Sequence, residues 1–158
     1  HLKVEADGET YTASSTMMEA VPLDSIDITY LTFGTKEIIL LVPVYTDPES
    51  PGNHYKFDLT VNGVKDKSYL VWSDAANNGE VNKRPLRTIN LDIESGDTAS
   101  IELQSINPFD YRYYFTLSQG ARGPGASTTP ANPESNVSNG GIGLFSAYAV
   151  SRKTVVIP

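Results

Sequence analysis

Apolar and polar residues alternate with a period of two along several short stretches, which separates them onto opposite faces of a strand. The clearest case is Tyr55, Phe57, Leu59 and Val61, alternating with Lys56, Asp58 and Thr60 and closed by Asn62-Gly63. Over residues 26–33, Ile26, Ile28 and Tyr30 alternate with Asp27 and Thr29, and Gly34 ends the run. Residues 37–45 are more continuously apolar and β-branched, as in a central strand covered on both faces, although Pro43 requires one edge to be free or bulged. Residues 1–6 and 10–14, joined through Asp7-Gly8, read as a hairpin, because glycine supplies the positive φ of a tight turn. Shorter strands are expected at 68–72, 87–93 and 98–105, the last two linked by Ser95-Gly96-Asp97.

Residues 108–118 place Tyr111, Tyr114, Phe115 and Leu117 or Ser118 at spacings of three and four, consistent with a short helix opening near Pro108, though a strand fits these aromatics nearly as well. The next stretch, 120–141, shifts to Gly, Ser, Thr, Pro and Asn and is too long for an ordinary connection. Apolar patches at 142–150 and 154–157 then return to the sheet. The pattern predicts an all-β antiparallel sandwich, Ig-like or jelly-roll-like, with at most one short helix near 108–118, formed by residues 1–158 as a single domain.

With 158 residues, 39% of them hydrophobic and 20% charged, the chain can bury a core without staples. A formal charge of −7 and the lack of a basic stripe exclude nucleic acid as the expected partner. There is no cysteine, hence no disulfide, thiolate metal site or cysteine nucleophile. The longest apolar run, 38–44, is seven residues, far short of a membrane span. The chain opens on His1 in a strand, with no signal sequence, and reads as a processed or truncated product.

The candidate chemistry is sparse. His1 and His54 are the only histidines, and neither a Gly-x-Ser-x-Gly elbow nor a phosphate loop occurs, so no catalytic residue is assigned. Oxygen donors cluster at Asp47 and Glu49 and again at Asp74, Asn77, Asn78 and Glu80. Asp47, Glu49, Asp74 and Glu80 are therefore candidate calcium ligands, weighed against solvated turns in which Asp and Asn bond their own backbone. No other cofactor is expected. Trp72 and the run Tyr111, Tyr113, Tyr114 and Phe115 are candidates for stacking on a sugar or another flat ligand, weighed against core packing. Trp72, Tyr111 and Tyr113, with Asp74, Asn77, Asn78 and Glu80, make up the candidate ligand-binding set.

Four further stretches stand out: residues 5–16 followed by Val21-Pro22-Leu23-Asp24-Ser25-Ile26; Val44-Tyr45-Thr46-Asp47-Pro48 with Asn53-His54-Tyr55-Lys56-Phe57; residues 96–103 leading to Tyr111-Arg112-Tyr113-Tyr114; and residues 132–137 with 140–148. Together they resemble the DUF4249 family, surface lipoproteins of the Bacteroidetes outer membrane. The match spans nearly the whole chain. The family's signal peptide, lipid-bearing cysteine and leading Ig-like domain have no counterpart here, so the chain is read as the C-terminal part of a longer lipoprotein, with membrane association only through an upstream anchor. The resemblance implies a noncatalytic surface protein that captures a ligand for, or caps, a TonB-dependent outer-membrane channel. The rivals are an adhesion or structural surface module and a glycan-active enzyme using paired carboxylates. Asp24-Ser25-Ile26 and Asp97-Thr98-Ala99 resemble Bacteroidetes O-glycosylation acceptors, making Ser25 and Thr98 candidates. The glycines at 140, 141 and 143 read as structural, permitting tight turns or close backbone approach.

Overall fold

The computed structural model describes residues 1–75, 78–88, 91–120 and 132–158, without the side chains of Phe33 and Lys36. The strands are β1 (Leu2–Ala6), β2 (Glu9–Ala13), β3 (Ser25–Phe33), β4 (Lys36–Thr46), β5 (His54–Val61), β6 (Val64–Lys65), β7 (Leu70–Ser73), β8 (Val81–Lys83), β9 (Thr98–Ile106) and β10 (Ala149–Val156), with one helix, α1 (Pro108–Gly120), between β9 and β10. All pairings are antiparallel. One sheet runs β10-β9-β5, with β6 and β7 sharing the far edge of β5; a second runs β3-β4-β8; β1 and β2 form a separate two-stranded ribbon.

The fold is sandwich-like because the two larger sheets each turn an apolar face inward. From β5 come Tyr55, Phe57, Leu59 and Val61, and from β9 Ala99, Ile101 and Leu103; all are buried, against Leu41 and Tyr45 of β4. Tyr45 meets Tyr55 edge-on at 4.8 Å between ring centroids, and Phe57 at 5.9 Å. The irregular segment before β3 inserts Val21 and Leu23 into this core, held by hydrogen bonds from Val21 N to Ser105 Oγ (3.2 Å) and from Leu23 N to Ser151 Oγ (2.9 Å). Among the described residues no helix is long and apolar enough to cross a membrane.

Turn chemistry explains where the strands reverse. Asp7 and Gly8, and Asn62 and Gly63, adopt positive φ in consecutive pairs, as two-residue hairpin turns demand. Pro43 lies just beyond the β8 ladder, which pairs only Val44, Tyr45 and Thr46, so its missing N–H disturbs no pairing on that edge. Only the second half of β4 is covered on both faces; residues 37 and 38 are exposed.

Two expected strands do not form as read. Within 87–93 the described residues are irregular: Leu86 N donates to Leu41 O at 2.8 Å, but Thr88 Oγ1 then bonds Leu91 O at 3.0 Å, a local contact that competes with a ladder. Leu91 and Ile93 still pack on the core, which is why their pattern looked strand-like. Residues 142–148 are also irregular, because side chains stand in for a neighbouring strand. The amide of Asn136 both donates to Phe145 O (2.7 Å) and accepts from Phe145 N (2.9 Å), Ser135 Oγ donates to Gly143 O (2.9 Å), and Ser15 Oγ accepts from Ala147 N (3.0 Å). The return to the sheet is a single strand, β10.

Candidate functional site

The acidic stretches after β4 and β7 meet at one end of the sandwich and brace each other. Asp47 is 2% exposed. Its Oδ1 accepts the Tyr55 hydroxyl, its Oδ2 accepts Gly79 N (3.1 Å), and its own N–H donates to Glu80 O (3.0 Å). Burial and this bond to Asp47 push the Tyr55 hydroxyl pKa far above its ordinary value. Asp74 Oδ2 accepts from Gly52 N (2.6 Å) and Asn53 N (2.9 Å), while Asn78 Nδ2 donates to Glu49 O (2.8 Å). Sequence reading thus found two segments that do come together, but as structural braces. Among the described residues, no group of three or more His, Asp or Glu side chains is arranged to hold a metal ion. Asn77 lies outside the described residues.

The aromatic candidates are divided by the sheet. Trp72 pairs across strands with Tyr55, so it shares the core face, where its ring lies 4.3 Å from Phe57 and beneath the Arg84 guanidinium at 5.0 Å. Tyr111 lies on the opposite face, 4.6 Å from the His54 ring and stacked with Phe115 at 5.7 Å. Tyr113 meets Tyr114 edge-on. A single platform containing Trp72, Tyr111 and Tyr113 therefore does not exist.

What sequence reading missed is the outer face of the five-stranded sheet, where α1 covers one end. Asn107 caps the helix: its Oδ1 accepts from Phe109 N and Asp110 N, both at 2.9 Å, and Pro108 fills the first helical position. Asp110 is fully buried, bonded to Ser146, and burial holds its pKa above the usual carboxylate range despite the bonds from Ser146 and Asn107. Tyr114 reaches over the sheet, its ring 5.2 Å from Lys56 Nζ and 5.9 Å from the nearly parallel ring of Tyr69. Burial, then the charge of Asp110, pushes the Tyr114 hydroxyl up to about 12.

Beside Tyr114 lies a closed polar network. Lys56 Nζ contacts Asp58 Oδ1 (2.5 Å) and Gln104 Oε1 (3.3 Å); Asp58 Oδ2 accepts from Lys65 Nζ and Gln104 Nε2, each at 2.8 Å; Arg152 pairs with Glu102. Burial lowers the Lys56 pKa, opposed by Asp58. Burial alone would raise Asp58, but the bonds from Lys56 and Lys65 hold it below its ordinary value. A signal for this face was present: the polar half of the β5 alternation is Lys56, Asp58 and Thr60, and only the register with β9 was hidden.

A concavity of about 650 Å³ lies elsewhere, between the β1–β2 ribbon and residues 135–138. It is open, and its polar side chains Ser138 and Asn136 are committed to Thr12, Ser14 and Phe145. Ser25, the first residue of β3, donates to Asp27 Oδ1 (3.2 Å), and Thr98, exposed at the start of β9, has its N–H bonded to Asn62 Oδ1 (2.9 Å).

The family model for a domain of unknown function, DUF4249, matches residues 1–154. No curated protein and no solved structure matches the chain significantly.

Proposed function

The chain belongs to the DUF4249 family, and from that premise we propose that it is a noncatalytic binding module, an accessory surface protein that captures a ligand for, or caps, a TonB-dependent outer-membrane channel in a Bacteroidetes bacterium. The observation that supports binding over chemistry is the outer sheet face. Exposed rings of Tyr69, Phe115 and Tyr148 border it, while its carboxylates Asp58 and Glu102 are already paired with Lys56, Lys65 and Arg152. A carboxylate held in an ion pair is a poor general acid at neutral pH, because its proton affinity is reduced. The channel as partner, and an upstream lipid anchor, rest on the family resemblance. Ser25 and Thr98 remain proposed O-glycosylation sites, abandoned if the native protein's intact mass equals its sequence mass.

The deciding experiment is mild-detergent affinity purification of the tagged, full-length protein from its own outer membrane, followed by mass spectrometry. A stoichiometric TonB-dependent channel is the expected result. A protein recovered alone defeats the accessory reading and favours an adhesion module.

A further inference from the structure

We propose that Lys56 and Gln104 form an internal amide cross-link between β5 and β9, with Asp58 carrying the proton from the amine to the departing ammonia. Its formation does not depend on what the module binds. The register makes Lys56 and Gln104 direct cross-strand partners. Lys56 Nζ lies 3.3 Å from Gln104 Oε1, and Asp58 bridges the two groups: its Oδ1 meets Nζ at 2.5 Å and its Oδ2 accepts from Gln104 Nε2 at 2.8 Å. An amine, a carboxamide and a carboxylate that touches both are the parts an amide exchange needs.

The atoms balance within the chain. The Lys56 ammonium gives one proton to Asp58 Oδ1, and the free amine attacks Gln104 Cδ. The Nζ–Cδ bond forms and the Cδ–Nε2 bond breaks, while a turn of the Asp58 carboxyl presents its proton to Nε2. The second proton shed by Nζ converts the released ammonia to ammonium. Nothing is oxidised or reduced, and one positive charge leaves as it entered.

The surroundings favour this exchange over an ordinary ion pair. The side chains of Lys56 and Asp58 are 9% and 11% exposed, Gln104 is 3% exposed, and the Tyr114 ring stands 5.2 Å from Nζ. Water is thereby kept from competing with the amine. Burial lowers the Lys56 pKa, which eases release of its first proton. Lys65 shares Asp58 Oδ2 at 2.8 Å, but its side chain is 62% exposed and exchanges that bond readily for water. While ion-paired, Asp58 is a poor acid, and it becomes one only after taking the Nζ proton, so the reaction is slow. A single event per molecule tolerates slowness, and amine and amide held in contact act at an effective concentration of about 10⁵ M or more. The result is a tie between residues 48 positions apart, in the central strand pair of the larger sheet, in a chain with no cysteine to supply a disulfide.

The test is the intact mass of the purified full chain, produced in a host without O-glycosylation, followed by tryptic peptide mapping. The expected mass is about 17 Da below the sequence value, one ammonia lost. An Asn-Gly pair that closes on its own backbone loses the same mass, so the peptide map decides. Residues 37–65, uncut at Lys56, should be recovered joined to residues 88–112. Lys56→Arg and Gln104→Met should each give the two peptides separately, and Asp58→Asn should slow the cross-link about a hundredfold or more. The proposal is overturned if peptides ending at Lys56 persist after days of incubation at neutral pH, if the lost mass maps to an Asn-Gly pair, or if Asp58→Asn cross-links as fast as the parent chain. The first two outcomes are read on the parent chain, whether or not a variant folds.

Discussion

Replacing Asp47 by alanine removes the acceptor shared by two loops and strands the Tyr55 hydroxyl and the Gly79 N–H at a site that is 2% exposed. Hydrogen bonds to an ionised acceptor contribute about 1.5–3 kcal/mol each. Part of that is offset because the variant no longer buries a carboxylate, so the expected net loss is about 3 kcal/mol. For a domain of this size that lowers Tm by roughly 6–12 °C. Tyr55→Phe removes only one of the two bonds and should cost about 2 kcal/mol. Because the two side chains share an interaction, the double variant should cost less than the sum, with a coupling of about 1–2 kcal/mol. Urea unfolding followed by the fluorescence of Trp72, which packs on Phe57 in the same core, reads all three, with far-UV circular dichroism as a second probe. A loss below about 0.5 kcal/mol for Asp47→Ala, or strict additivity of the pair, refutes the claim that this carboxylate braces the loops.

Asn107→Ala should cost about 2 kcal/mol, roughly half from the helix cap and half from the bond that Asn107 Nδ2 donates to Ser15 Oγ at 3.0 Å, and a urea midpoint unchanged from the parent protein contradicts this. Asp110 and Asp58 should shape the pH dependence in opposite senses. The raised Asp110 pKa means the native state holds that proton more tightly, so its contribution is most favourable below the ordinary carboxylate pKa and is lost as pH rises through the folded value; Asp110→Asn should flatten that decline. The lowered Asp58 pKa stabilises above the ordinary value and is lost as pH falls through the folded one, so Asp58→Asn should lessen acid sensitivity in the same urea series. A Cβ added at Gly141 would lie 2.5 Å from Val137 Cγ1, so Gly141→Ala should destabilise by about 1–3 kcal/mol and Val137→Ala in the same chain should recover part of it; equal melting temperatures for the single and double variants argue otherwise.

The legible part of the fold was whatever a period of two or a turn pair encodes locally. The alternation in β5, the Asp7-Gly8 hairpin and the end of β5 at Asn62-Gly63 appear at their expected positions, and of the helix and strand readings of 108–118 it is the helix that forms, from Pro108. Residues 87–93 and 142–148 misled because they carry apolar side chains to the core while side-chain hydrogen bonds from Thr88, Asn136 and Ser15 replace the ladder. The site was harder still. Asp47 and Asp74 were found as oxygen-rich clusters, but composition does not distinguish a carboxylate that binds an ion from one that receives backbone N–H groups. Tyr111 and Trp72 were grouped as aromatics, although the parity of β7 against β5 sends Trp72 to the other side of the sheet from Tyr111. Assembly of Lys56, Asp58, Glu102 and Gln104 depends on a pairing between residues 44 to 48 positions apart, which no local pattern reports.

The ribbon formed by β1 and β2 has its own bearing on the order in which the molecule assembles. Two strands alone are marginal in water. What secures this pair comes from the far end of the chain: Ser138 N donates to Thr12 O (2.8 Å), Thr12 N donates to Ser138 Oγ (2.8 Å) across a separation of 126 residues, and Asn139 Nδ2 donates to Glu9 (2.9 Å). The β1–β2 hairpin is therefore fixed only once residues 138 and 139 have reached it, across 126 to 130 positions of sequence. Contacts of that range raise the contact order, so folding is expected in milliseconds to seconds, an interval in which the unsecured ribbon leaves a strand edge open to chaperones and to other copies of the chain.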